Sequence, residues 1–242
     1  MKLLQDSIGS IRFYHRPGFS DLKTFEEVIG RKTYLKRGLK IGVGERWMDC
    51  GGNVGAFALL ACKLGAKVTV YEPDPYNVDM IKRNLRLNKF EAVVKQAALV
   101  HDQRKTVTLF IGNNSQVWRN SIVRKWNDKG IKVPCLNFDE EAKNFDACKM
   151  DIEGAEYAVT RHMVTQGVAC WVDYWEFEGH AMYTPDTAKY RPVDAVLPWL
   201  LRGCPGQPVQ MVLQDWYTED YKVWSAWNET DNKECPLPMI VD

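Results

Sequence analysis

The chain has 242 residues, 45% of them hydrophobic, which suffices for one well-buried core, and its 32 basic and 31 acidic residues leave a formal charge of +1. That balance gives no long-range field to gather polyanions, so bulk charge does not favour nucleic acid as a partner. The opening "MKLLQDSIGSIRFYHRP" is broken at Gln5 and Asp6 before it could serve as a secretion signal, and the apolar run "AFALLAC" at 56–62 is far too short for a bilayer. The expectation is a cytoplasmic protein without a membrane partner.

In chain order, residues 1–45 read as an N-terminal addition: a strand-like piece, "SIRFYHRP", then a helix from Ser20 or Asp21 to a stop at Gly30. From Arg46 the pattern is regular. "RWMD" reads as a strand, "VGAFALLACKLG" as a helix, "KVTVYEP" as a buried strand, "PYNVDMIKRNLRLN" as an amphipathic helix and "EAVVKQAAL" as a third strand. "KTVTLFIG" and "IKVPCLNF" are further strands around a polar loop. "FDACKMDIEGAEYAVTRHMVTQG" holds a strand ending near Met150 and Asp151, then a helix from Gly154 to His162; "ACWVDYWEFEGH" is a strand to about Phe177. Helix "DAVLPWLLRG" and strand "VQMVLQDWY" complete a sheet edge. Strands alternating with helices indicate α/β architecture: one domain over 1–242, with a core at 46–180 and a C-terminal sheet edge and substrate region at 181–242.

The stretch "WMDCGGNVGAF" places Asp49 at a strand end and Gly51, Gly52, Asn53 and Gly55 in the turn before a helix, where backbone can approach a ligand closely. The dinucleotide fingerprint wants G-x-G-x-x-G and an acid about 20 residues on. Glu72 supplies the acid, but the glycines do not fit. Asp49 decides between ligands: its carboxylate would repel a diphosphate, whereas S-adenosylmethionine brings an ammonium, a sulfonium and a single carboxylate. Glu72 would then accept both ribose hydroxyls. Asp49, Gly51, Asn53, Gly55, Glu72, Gln96 and Asp151 are the expected cofactor residues. The bland alternative is that Asp49 and Glu72 only cap helices around a tight turn.

"DCGGNVG", "VYEPDP" and "KMDIEGAEY", with "RPGFSDLKTFEEV" upstream, resemble the signature segments of the FkbM-type S-adenosylmethionine-dependent methyltransferases over residues 16–180. The resemblance implies a class I methyltransferase Rossmann-like fold, a seven-stranded mostly parallel sheet flanked by helices, and methylation of a hydroxyl on sugars, polyketides or glycoconjugates. The stretch after Gly179 carries no resemblance and is expected to set substrate preference.

"KMDIEGAEY" puts Asp151 where a strand meets the crevice; Glu153 and Glu156 follow at a helix start, where the helix dipole alone would favour them. In "WEFEGH", Glu176 and Glu178 share a strand face, and His180 joins them if the strand persists. An alcohol needs a base to take its proton, and Asp151, Glu176, Glu178 or His180 could supply it. A divalent metal held by the same residues is the less favoured alternative. The position after the fourth strand reads Met150-Asp151-Ile152-Glu153, not the [DNS]-P-P-[FYW] loop of base amino-methyltransferases, and Pro134-Cys135 lies one strand too early for pyrimidine C5 chemistry. Other readings are an RNA ribose methyltransferase, for which "VWRNSIVRKWNDKGIK" is the best local argument, and a non-catalytic binder of the methyl donor. Aromatic residues in "DWYTEDYKVWSAWN" suit sugar faces or core packing. The seven cysteines form no C-x-x-C pair and are expected reduced, without zinc.

Overall fold

The computed structural model describes residues 2–35, 40–112, 120–123, 125, 129–166, 172, 174–179, 209–215 and 222–226. An antiparallel hairpin, β1 (Leu4–Ile8) and β2 (Ile11–His15), leads into helix α1 (Asp21–Phe25) and a widened helical turn at Glu26–Gly30. Then come β3 (Arg46–Cys50), α2 (Ala56–Lys63), β4 (Lys67–Tyr71), α3 (Pro75–Asn88) and β5 (Ala92–Lys95). They are followed by β6 (Ala98–Val100), β7 (Thr106–Phe110), β8 (Gly130–Asn137), α4 (Phe138–Ala142), β9 (Ala147–Met150) and α5 (Glu156–Thr165). β10 (Tyr174–Gly179), β11 (Val209–Asp215) and β12 (Lys222–Ala226) complete the order.

Five parallel strands, in the order β10-β9-β3-β4-β5, form the body of the sheet; β11 adds parallel to β10, and β12 runs antiparallel to β11 at the edge. From β3 the chain winds outward through β4 to β5, then returns to β9 and winds the other way to β10. The direction of winding reverses between β3 and β9, and open α/β sheets form their ligand crevice beyond the carboxyl ends of the strands at such a reversal. The expected α/β class with a parallel sheet is therefore present.

Local chemistry accounts for the elements. α3 starts where Asp74 Oδ1 accepts the Tyr76 N–H and Pro75 sits at the first helical position, and it ends at Lys89 in a left-handed conformation. In β3, Trp47 packs on one face with Phe57 and Ile81, while Met48 and Cys50 pack on the other with Met150, Met163 and Trp175. Burial of such side chains stabilises the fold by about 1.5–3 kcal/mol each. The N-terminal segment shares this core: Phe13 stacks on Phe25 at 4.0 Å, and both belong to the cluster around Trp47. Its hairpin docks on α3 through two asparagines. Asn84 Oδ1 accepts the Tyr14 N–H at 2.6 Å and its Nδ2 donates to Tyr14 O at 3.2 Å; Asn88 treats Arg12 N and O in the same way at 2.9 and 2.6 Å.

Three expectations change. "EAVVKQAAL" is two strands, not one: β5 joins the main sheet, while β6 joins a small sheet ordered β6-β8-β7. Alternating hydrophobicity is the same in both halves, and only the pairing partners separate them. The helix expected from Ser20 or Asp21 to Gly30 is α-helical only to Phe25; beyond it Arg31 N donates to Glu26 O, an i to i+5 bond. The strand expected to end near Phe177 continues to Gly179. Helix "DAVLPWLLRG" lies outside the described residues.

Candidate active site

Asp49 and Lys149 are register partners on β3 and β9, and Lys149 is in turn the partner of Glu176 on β10, so three ionisable residues cross the sheet in one row. Asp49 is fully buried, and Lys149 and Glu176 nearly so. Lys149 Nζ lies 3.4 Å from Asp49 Oδ1 and 3.4 Å from Asp151 Oδ2, and it donates to Gly51 O at 2.8 Å. Among the described residues neither Asp49 oxygen has a well-formed hydrogen bond. Burial therefore pushes the Asp49 carboxyl up to about 6, against the opposing pull of Lys149. Burial alone would lower the Lys149 ammonium, but Asp151, Asp49 and Glu178 outweigh it and raise that group instead.

One layer further out, Tyr34 reaches across from the N-terminal segment. Its hydroxyl lies 3.1 Å from Asp151 Oδ2 and 2.8 Å from Glu178 Oε2. Burial, with the two carboxylates beside it, holds the phenol well above its ordinary range. Glu156, which follows the acidic turn, accepts the Ile152 and Gly154 N–H groups at 2.7 Å each, so it pins the turn after β9.

The glycine turn is folded against this cluster. Gly51 has φ 84°, and a Cβ there would collide with Asp151 O; a Cβ at Gly52 would collide with Val70. Gly55, φ 90°, is the N-cap of α2 and brings no side chain to cap it. Asn53, φ 49°, donates its N–H to Glu72 Oε2 at 2.8 Å. Glu72 Oε1 accepts from Asp74 N at 2.9 Å and Asn77 Nδ2 at 3.4 Å. Burial pushes Glu72 up to about 8, and those bonds only partly offset it. Behind Asn77 stands Arg16, which donates to Asn77 Oδ1 at 2.9 Å and forms a buried bidentate pair with Asp21.

A crevice of about 510 Å³, its open mouth included, runs between the two groups. Gly51, Asn53, Glu72 and Asp151 line it with polar atoms, and Leu99, Leu109, Ile122 and Ile152 line it with apolar ones. Its size and its mixture of apolar wall and few polar groups suit a small organic ligand. The sequence-selected residues thus divide. Gly51, Asn53, Glu72 and Asp151 meet at the crevice; Asp49 lies behind Lys149, and Glu178 joins Asp151 through Tyr34. Gln96 is exposed and is not among the lining residues. His180, most of the aromatic stretch 215–228 and residues 117–119, 124 and 126–128 of the basic stretch lie outside the described residues. Among the described residues no group of three or more His, Cys, Asp or Glu is placed to hold a metal ion. Lys149 and Tyr34 went unrecognised in the sequence. A lysine inside the apolar strand "DACKM", two residues before an aspartate, was the available signal for Lys149.

Residues 49–184, more than half of the chain, match the methyltransferase FkbM domain. The chain belongs to the FkbM methyltransferase family. Residues 49–184 accordingly form a methyltransferase domain, for which S-adenosylmethionine is the cofactor. The lining fits that group: aliphatic side chains for an adenine, a carboxylate at Glu72 for hydroxyls, and acidic residues near the glycine turn for a cationic centre. No curated protein matches the sequence. Among solved structures, it is similar to the Pyrococcus abyssi tRNA (uracil-54, C5)-methyltransferase in complex with S-adenosyl-L-homocysteine. That likeness has 14% identity and a TM-score of 0.41, covering 68% of this chain and 32% of that one. The S-adenosylmethionine-dependent methyltransferase from Agrobacterium tumefaciens is 9% identical with a TM-score of 0.36, covering 89% and 54% respectively. The Escherichia coli putative methyltransferase yhhF is 13% identical with a TM-score of 0.36, covering 67% and 72%. The chain spans about a third of the length of the first of these. Among the described residues no helix is long and apolar enough to cross a membrane.

Proposed function

We propose that this methyltransferase acts on a hydroxyl group of a sugar, a glycoconjugate or another neutral small molecule. The observation that carries the reading is the pairing of Asp151 with Glu178 about a single tyrosine hydroxyl, at the crevice end of the strands and beside Lys149. A hydroxyl is a weak nucleophile until a base takes its proton, and Asp151 lines the crevice while Glu178 stands behind it. Lys149 Nζ, 3.4 Å from Asp151 Oδ2, places a positive charge beside that carboxylate. In this reading Glu72 holds the ribose hydroxyls, Asn53 and Gly51 shape the turn around the methionyl portion, and Asp49 acts by fixing Lys149. The cofactor, when bound, supplies an electrophilic methyl group. Among the described residues, Asp49, Asp151, Glu176 and Glu178 gather around Lys149, a local charge balance that favours a neutral acceptor over a phosphate-rich one.

The test is a panel of neutral glycosides, small alcohols and short RNAs incubated with methyl-labelled S-adenosylmethionine. Label on a glycoside or alcohol, with about 10²-fold or greater loss in Asp151→Asn, is the expected result. Label confined to RNA, falling steeply as salt rises, would replace the reading with ribose methylation.

A further inference from the structure

Tyr34 lies outside residues 49–184, so the family match gives it no role. Yet its side chain is among the most constrained near the crevice. The residue is 5% exposed, its ring meets Phe57 edge-on at 5.7 Å, and Lys149 Nζ stands 5.5 Å from the ring centre. We infer that Tyr34 is a positioning residue of the methyl-transfer site, whose hydroxyl binds Asp151 and Glu178 into one proton-sharing unit. The inference rests on the reading that these carboxylates receive the acceptor's proton.

A phenol carries one O–H and here faces two carboxylate oxygens, at 3.1 and 2.8 Å. With both carboxyls ionised, one proton must serve two acceptors, and one contact is left weak. A single added proton on either carboxyl repairs it, because the phenol oxygen can accept from that group while donating to the other. The unit therefore has a built-in place for one incoming proton. Methyl transfer to a hydroxyl releases one: the acceptor's O–H bond breaks as its O–C bond forms, the S–C bond to the methyl breaks, and the proton passes to the carboxylate pair. Lys149 on β9 stands 3.4 Å from Asp151 Oδ2, and its register partners are Asp49 on β3 and Glu176 on β10. Lys149 balances one negative charge and leaves the pair able to accept a proton.

Incorporation of tyrosine labelled with ¹³C at Cζ, with the Tyr34 signal assigned by its loss in Tyr34→Phe, tests the unit without any acceptor. The Tyr34 signal should keep its phenol position past about pH 11, beyond the range of an ordinary tyrosine. At pH 7 it should move in both Glu178→Gln and Asp151→Asn. A Tyr34 signal that titrates with ordinary tyrosines, or that ignores both substitutions, overturns the inference. The functional arm uses whichever member of the acceptor panel is methylated. Tyr34→Phe keeps the ring packing and should lower kcat about tenfold or more while KM for S-adenosylmethionine stays within about twofold. Wild-type kcat in Tyr34→Phe beside a crippled Asp151→Asn removes the role of Tyr34 alone; wild-type kcat in both removes the reading of the carboxylates.

Discussion

Lys149 and Asp49 face each other in register across two parallel strands, with 3.4 Å between Nζ and Oδ1 and both side chains buried. Both charges are buried: Asp49 has Lys149 opposite it, while Lys149 also has Asp151 and Gly51 O. Lys149→Met should destabilise the fold by about 3–5 kcal/mol, the usual penalty for leaving a buried charge without its partner. The double variant Asp49→Asn with Lys149→Met should recover much of that loss. Urea unfolding of the wild type, the single and the double variants measures it; equal destabilisation in the single and double variants would show that the ion pair is not the cause.

Glu72 serves two ends at once. It accepts two backbone N–H groups, from Asn53 and Asp74, and its residue also lines the crevice. Above about pH 8, where its carboxyl is ionised, Glu72→Ala should weaken S-adenosylhomocysteine binding by about 1.5–3 kcal/mol for each charge-assisted bond lost. Calorimetry on a folded variant decides it, and unchanged affinity would move the ribose elsewhere.

The same residue gives a pH signature. Glu72 titrates at about 8 and Asp49 at about 6, both above the unfolded value of about 4. The folded protein thus binds these protons more tightly than the unfolded chain does. Their contribution to stability is complete below about pH 4 and is lost as pH rises, first through 6 and then through 8. Thermal unfolding midpoints should fall from pH 5 to pH 9 in the wild type, and Glu72→Gln should flatten the upper part of that profile. A wild-type slope retained in Glu72→Gln would assign it to other groups.

Gly51 is the narrowest point of the turn. Any side chain there meets Asp151 O, and the φ of 84° adds its own strain. Gly51→Ala should therefore yield little folded protein, whereas Gly44→Ala has open space around its Cβ and bears only the strain of its φ of 84°. Soluble yield and circular dichroism compare the two; equal behaviour would mean that the turn can shift away from Asp151.

What was legible in the sequence was local. α3 runs over Pro75–Asn88 as expected because its cap, its first-turn proline and its apolar spacing all lie within the segment. The glycine turn and Asp151 were legible for the same reason. The division of 91–100 into β5 and β6 was not, since it depends on which strand each half pairs with. Tyr34 was invisible because its partners are 117 and 144 residues away. Lys149 could be seen but not interpreted: a lone lysine in an apolar strand has meaning only when Asp49 is found opposite it.

The asparagines of α3 have a consequence for association. A two-stranded hairpin ordinarily leaves an open edge, a row of free N–H and C=O groups on which another chain's strand can assemble. β1 occupies one edge of β2, and on the other the amides of Asn84 and Asn88 engage both backbone groups of Tyr14 and of Arg12. The helix imitates a third strand with side chains alone. That edge of the hairpin is sealed against strand addition, and replacing both asparagines with alanine would open it as a seed for aggregation.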